Sequence, residues 1–277
     1  MNLISSLYHK LRYHVLGSAP LKKTFFLHIP KCGGTSITAA LSSCYETVSL
    51  IPPYKRTDAI AGLNSVASLH GADVSGLELG DYREQILFYF LSIPSLRYVG
   101  GHYTFSEKAY RAFSKDWCFV TMLRHPVSRW FSHYFFNRYK EGDHCKTEED
   151  LRSFVDSKSG QQMGHFYTYY LTGEGKTEAV PAETVDKAIE NLKKFSVVGC
   201  LEHSDIFVQQ FEELQKVKLN IKTTNINPLG RSRQEEQISD EIRAKVVKIC
   251  EPDIKIYNYA LSQLPGNRSF LSKDYFT

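Results

Sequence analysis

The chain has no C-x-x-C pair, no pair of histidines at the helical i, i+4 step and no apolar run of bilayer length, and each absence removes a class of protein. Its six cysteines, Cys32, Cys44, Cys118, Cys145, Cys200 and Cys250, are scattered, several inside apolar runs where a thiol packs as a small hydrophobe. Reduced thiols in a cytoplasm-like compartment are expected, with a secreted, disulfide-bearing fold as the alternative. Asp143, His144 and Cys145 are adjacent, so their side chains diverge, and no metal site is expected. Charge of one sign is also scarce. With 34 Lys and Arg against 30 Asp and Glu, the net +4 suits a local anion site and not a surface that coats nucleic acid.

What is present is a chain of 277 residues, 42% of them hydrophobic, enough to build a core without a metal or disulfide staple. Residues 1–21 read as an amphipathic extension, with Leu3, Ile4, Leu7, Leu11 and Val15 interleaved with His9, Lys10, Arg12 and His14. Such a stretch is too mixed to span a bilayer; it packs on the chain's own body or touches a membrane surface or a partner. Residues 22–277 read as one domain. An apolar run at Thr24–Ile29 breaks at Pro30 into a glycine turn, and helical character follows over Thr35–Leu41. Ser49–Gly80 reads as irregular, followed by a helix at Asp81–Ser92 and a strand at Arg97–Gly100. Trp117–Leu123 is a buried strand that delivers Arg124 and His125, with Pro126 opening a helix. Further helices are expected at Leu151–Asp156, Gln161–Leu171, Val185–Phe195, Ser204–Lys216 and Ser239–Tyr259, with a strand at Ser196–Leu201. Strands alternating with helices, without a repeat, predict an α/β fold: a P-loop-like three-layer α/β/α sandwich on a central parallel sheet.

Two segments carry chemistry. The first is His28-Ile29-Pro30-Lys31-Cys32-Gly33-Gly34-Thr35-Ser36, a strand end, two glycines and two hydroxyls opening a helix. Glycines let backbone curl around an anion, and the free N–H groups of a helix start point at it. The order departs from the ATP-binding pattern, because Lys31 precedes the glycines. Read alone, the pair of glycines is also compatible with an ordinary turn. The second segment is Arg124-His125-Pro126-Val127-Ser128-Arg129-Trp130-Phe131-Ser132, where Arg124 leaves a strand end and Ser128 and Ser132 share a helix face. Read alone, its arginines are also compatible with solvated surface charges.

Together the segments resemble the sulfotransferases that use 3′-phosphoadenosine 5′-phosphosulfate (PAPS), in particular the branch that includes the carbohydrate and heparan or uronyl 2-O-sulfotransferases. The first matches that family's 5′-phosphosulfate loop at Lys31, Gly33, Gly34, Thr35 and Ser36. The second matches its 3′-phosphate segment at Arg124, Pro126, Arg129 and Ser132. The resemblance implies a P-loop-like fold, PAPS as co-substrate and no catalytic metal. It places Lys31, Cys32, Gly33, Gly34, Thr35, Ser36, Arg124 and Ser132 against the nucleotide. Arg231, in the late basic loop Gly230-Arg231-Ser232-Arg233, is expected to close over its phosphates, although a solvated turn serves that composition equally. Lys31 would also stabilise the oxygen bridging phosphorus and sulfur.

For the acceptor's proton, the branch uses a histidine in a Gly-His step like Gly101-His102 here, where it follows a strand and carries a neutral-range pKa. Glu202 and His70 are the alternatives. The aromatic run Phe166, Tyr167, Tyr169 and Tyr170 serves either as sugar-stacking surface or as core. The acceptor is expected to be a glycan hydroxyl, with small alcohols, lipids and tyrosyl peptides also open. Eukaryotic members of the branch sit in the Golgi behind a membrane anchor, so a bacterial-type cytoplasm is expected here. The rival readings are a small-molecule kinase using ATP and Mg²⁺, against which the missing strand-ending Asp counts, and an inactive fold that only binds.

Overall fold

β1 (Lys23–Leu27) is buried over its last four residues, as a strand covered on both faces requires. In the computed structural model, which describes residues 21–46, 54–56, 59–70, 76–174, 179–222 and 229–266, β1 is the middle strand of a sheet. The other strands are β2 (Tyr54–Arg56), β3 (Tyr98–Gly101), β4 (Trp117–Leu123) and β5 (Val197–Cys200), of which β3 and β4 pair with β1. The order is β2-β3-β1-β4-β5, and every pairing is parallel. Helices cover both faces, giving the three-layer α/β/α arrangement expected from the alternation of strand and helix patterns.

The strand order positions the site. From β1 the chain moves outward on one side to β2 and β3, then crosses to the other side for β4 and β5. In an open parallel sheet, that reversal leaves a crevice beyond the strands' carboxyl ends. Leu27 is in register with Gly101 on one side and Thr121 on the other, so the loops after β1, β3 and β4 emerge along one edge. The two buried threonines of these strands are satisfied internally: Thr24 Oγ1 is shared by Tyr45 and Gln215, and Thr121 Oγ1 donates to Leu27 O at 2.9 Å. A second apolar cluster, around Trp130, Tyr134, Phe154 and Val246, seats the helix Pro126–Tyr139.

Several segments differ from the sequence reading. The helix Glu107–Phe113 has no counterpart in it, and the late basic loop runs into a short helix, Arg231–Glu235. Within Ser49–Gly80, read as irregular, the chain forms the strand β2 and a helix at Ala59–His70 and starts the next helix at Gly76. The serines that spoil the pattern are accommodated because Ser65 and Ser68 hydroxyls donate back to Ala61 O and Asn64 O, while Val66 is buried. The stretch read as one helix over Gln161–Leu171 breaks at Gly164, where a Cβ would lie 2.3 Å from Ile249. The last long helix is two, Asp240–Ile249 and Glu251–Ser262, divided at Cys250 because Pro252 cannot continue an N–H ladder. The amphipathic extension lies outside the described residues, apart from Leu21.

Candidate functional site

A cleft of about 640 Å³ opens at the crevice. Its walls include Lys31, Gly33, Gly34, Thr35 and Ser36 from the loop after β1, and Arg124 and Ser132 from the segment after β4. Residues ninety-odd positions apart in sequence thus face one space. Arg124 Nη1 also donates to Lys31 O at 3.3 Å, which ties the two loops directly.

The first loop is shaped by three backbone requirements. Lys31 adopts φ 67° and Gly33 φ 72°, left-handed conformations that turn the chain sharply. For a residue with a Cβ such as Lys31 this costs about 1 kcal/mol, strain of the kind that gathers at binding loops. Gly34 is required for space: a Cβ there would lie 1.7 Å from His28 Nε2. Ile37 N–H bonds to Gly33 O, so the amides of Gly34 and Thr35 stand at the helix start beside the cleft. Lys31 is partly buried, and that burial, with Arg124 and Lys140 nearby, lowers its pKa to about 8. Cys32 does not line the cleft. Its thiol is buried against Tyr167 Oη at 3.5 Å and is pushed up to about 11 by that burial.

Tyr167 holds the second loop. Arg124 N–H donates to its hydroxyl at 2.8 Å, and the hydroxyl donates to Arg124 O. The helix Phe166–Thr172 is fixed in turn by Asp253, which accepts from the amides of Tyr167 and Thr168 and from the Thr168 hydroxyl. Asp253 is fully buried, and burial raises its pKa to about 6. Arg129, part of the second motif, does not reach the cleft. It is fully buried, donates to Met163 O and stacks over the Phe166 ring at 4.5 Å. In the aromatic run, Tyr167 and Tyr170 are buried in the core and Phe166 and Tyr169 pack half-buried against it, with Tyr167 as the clasp.

His102 follows β3 and sits beside His28, ring centroids 4.4 Å apart, rather than on the cleft wall. His28 O receives a hydrogen bond from His102 Nδ1 at 2.7 Å. A carbonyl only accepts, so Nδ1 carries the proton and Nε2 keeps its lone pair. Burial lowers the His102 pKa, which keeps that lone pair free. Of the alternatives, Glu202 accepts from His125 N–H and from the Tyr257 hydroxyl, both at 2.9 Å. His70 ends a helix, and its side chain lies outside the described atoms. Arg231 opens a short helix, Arg231–Glu235, and its side chain is likewise outside them.

The cleft also has residues that the motif reading passed over: His28, Ile37, Phe136, Leu201, Ser204, Asp205, Val208 and Ile221. Phe136 follows Ser132 by one helical turn, and Ser204 opens the helix after β5, so helix periodicity and the strand-end rule carried a signal for both. Among the described residues, neither Lys31 nor Arg124 forms an ion pair with a carboxylate, and no cluster of ligating side chains could hold a metal ion. No described helix is long and apolar enough to cross a membrane.

No protein-family profile and no curated protein sequence matches the chain. Among solved structures, a sulfotransferase from Alicyclobacillus acidocaldarius is 15% identical, with a TM-score of 0.41, over 86% of this chain and 97% of that one. A likeness of that degree carries no functional argument. The site's own residues must.

Proposed function

We propose that the protein is a sulfotransferase that moves a sulfuryl group from PAPS to an acceptor hydroxyl, on a carbohydrate in the first instance. The observation that carries this reading is one cleft lined by both Lys31 and Arg124 with Ser132, neither cation paired with a carboxylate among the described residues. Two cationic positions in one cleft, from loops ninety-odd residues apart, suit an adenosine with phosphates at both ends, and the volume falls in the range of small-molecule sites.

In this reading the amides and hydroxyls from Gly33 to Ser36 hold the 5′-phosphate, and Arg124 with Ser132 holds the 3′-phosphate. The acceptor oxygen attacks sulfur in line with the bridging oxygen, the S–O bond to phosphate breaks, and 3′,5′-ADP departs. Lys31 stabilises the negative charge that gathers on the leaving oxygen. The acceptor's proton passes to Nε2 of His102, directly or along the His28 ring that separates it from the cleft. Arg231 closes over the phosphates.

The test is transfer of labelled sulfate from PAPS to a panel of glycans, with competition by 3′,5′-ADP and by ATP. Label in a glycan and inhibition by 3′,5′-ADP alone are expected. Competition by ATP alone, with Mg²⁺-dependent phosphate transfer, would replace this reading with a kinase.

A further inference from the structure

The Lys31 ammonium stands among groups that oppose its charge. Arg124 comes from the loop after β4 and Lys140 from the end of the helix Pro126–Tyr139; His133, in the middle of that helix, is buried, which pushes its pKa well below the ordinary value and leaves it uncharged. His28 and Asp205 line the same cleft, and Asp205 makes no ion pair with Lys31. What Lys31 does touch is an aromatic face: Nζ lies 3.6 Å from the Phe136 ring centroid. Lys140 is farther from that ring, at 5.6 Å, and is engaged by Asn137 Oδ1 and His144 O. Phe136 lies one turn beyond Ser132 and lines the cleft with it.

We propose that Phe136 is a positioning residue whose ring face backs the Lys31 ammonium inside the cleft, keeping it charged and presented to an incoming anion. A ring covers one side of an ammonium and leaves its remaining N–H bonds free, so the contact persists when the anion binds on the open side. The site reading above enters only in naming that anion as a 3′,5′-bisphosphate nucleotide. Burial and like charge already bring Lys31 to about 8. A desolvated cation–ring contact is worth roughly one further pKa unit of protonation, enough to decide the charge between about pH 8 and 9.

The experiment is NMR of the free protein carrying ¹³C-labelled lysine, with the Lys31 signal assigned by its loss in Lys31→Arg. In the wild type, ring current is expected to move the Lys31 ε-methylene protons upfield. Phe136→Leu should abolish that displacement and lower the Lys31 pKa by about one unit, while Phe136→Tyr keeps both. Calorimetry with 3′,5′-ADP should show Phe136→Leu weakened by about threefold at pH 8.5 and unchanged at pH 6, where Lys31 is protonated in either protein. A wild-type spectrum without the upfield displacement overturns the proposal, whether or not Phe136→Leu folds. An unaltered or raised Lys31 pKa in folded Phe136→Leu overturns it too. The displacement with no nucleotide binding at any pH supports the contact and sinks the nucleotide reading instead.

Discussion

At the scale of single residues, the cleft is shaped by contacts that short motifs do not display. Gly34 reads as half of a flexible pair, yet what makes it glycine is the His28 ring at the place of its Cβ. Gly34→Ala should lower stability by about 1–3 kcal/mol, and adding His28→Ala should restore most of the loss, as read by thermal melting. Equal melting of the single and double variants would remove the steric explanation. His102→Ala should cut the transfer rate by about 10²–10⁴ while leaving 3′,5′-ADP binding intact. Because the neutral imidazole is the active form and burial lowers its pKa, the acid limb of the rate profile should fall with a midpoint below 6.5. Lys31, Gly33, Thr35, Ser36, Arg124 and Ser132 were legible because glycine turns and strand-end arginines announce themselves locally. His28 and Phe136 were not assigned roles, since their contacts depend on loops and helices distant in sequence. Arg129 has the pattern of a phosphate ligand and is instead fully buried against Met163 and Phe166.

At the scale of elements, the helix Phe166–Thr172 links the core to the site. Its Tyr167 hydroxyl bridges the Arg124 backbone and the Cys32 thiol, so removing it leaves buried main-chain groups unpaired. Tyr167→Phe should cost about 1–3 kcal/mol in chemical denaturation. Asp253, which holds that helix start, has a folded pKa near 6, above its ordinary value of 3.8. The folded state therefore binds its proton more tightly than the unfolded chain, and stability from this group is present at pH 4 and lost as pH rises through 6. The change is on the order of 2–3 kcal/mol, and Asp253→Asn should flatten it in denaturation curves taken between pH 4 and 7. Four of the five strands were legible; β2, three residues within the stretch read as irregular, was not. β4 was read to the residue, because a continuous apolar run closed by Arg-His-Pro has few other meanings. The helix Ala59–His70 was not legible, because serine and glycine argue locally for turns while side-chain back-bonding and the burial of Val66 settle the matter in the fold.

At the scale of the molecule, strand order does what neither motif does alone. Placing β1 between β3 and β4 sets the two loops side by side at the sheet's carboxyl edge, so the two motifs share one cleft. The sequence supplied both motifs and the alternation of strand and helix; the order of strands, and hence the joining of the two sites, came only with the fold. The most direct measurement compares, by titration calorimetry, the affinities of 3′,5′-ADP and 5′-ADP for the wild type and for Arg124→Ala. In the wild type the 3′-phosphate should strengthen binding by roughly ten- to a hundredfold, the worth of one charge-assisted bond. In Arg124→Ala that advantage should disappear while 5′-ADP binds as before. Equal advantage from the 3′-phosphate in both proteins would contradict the account, since Arg124 would then have no part in holding the nucleotide's second anion.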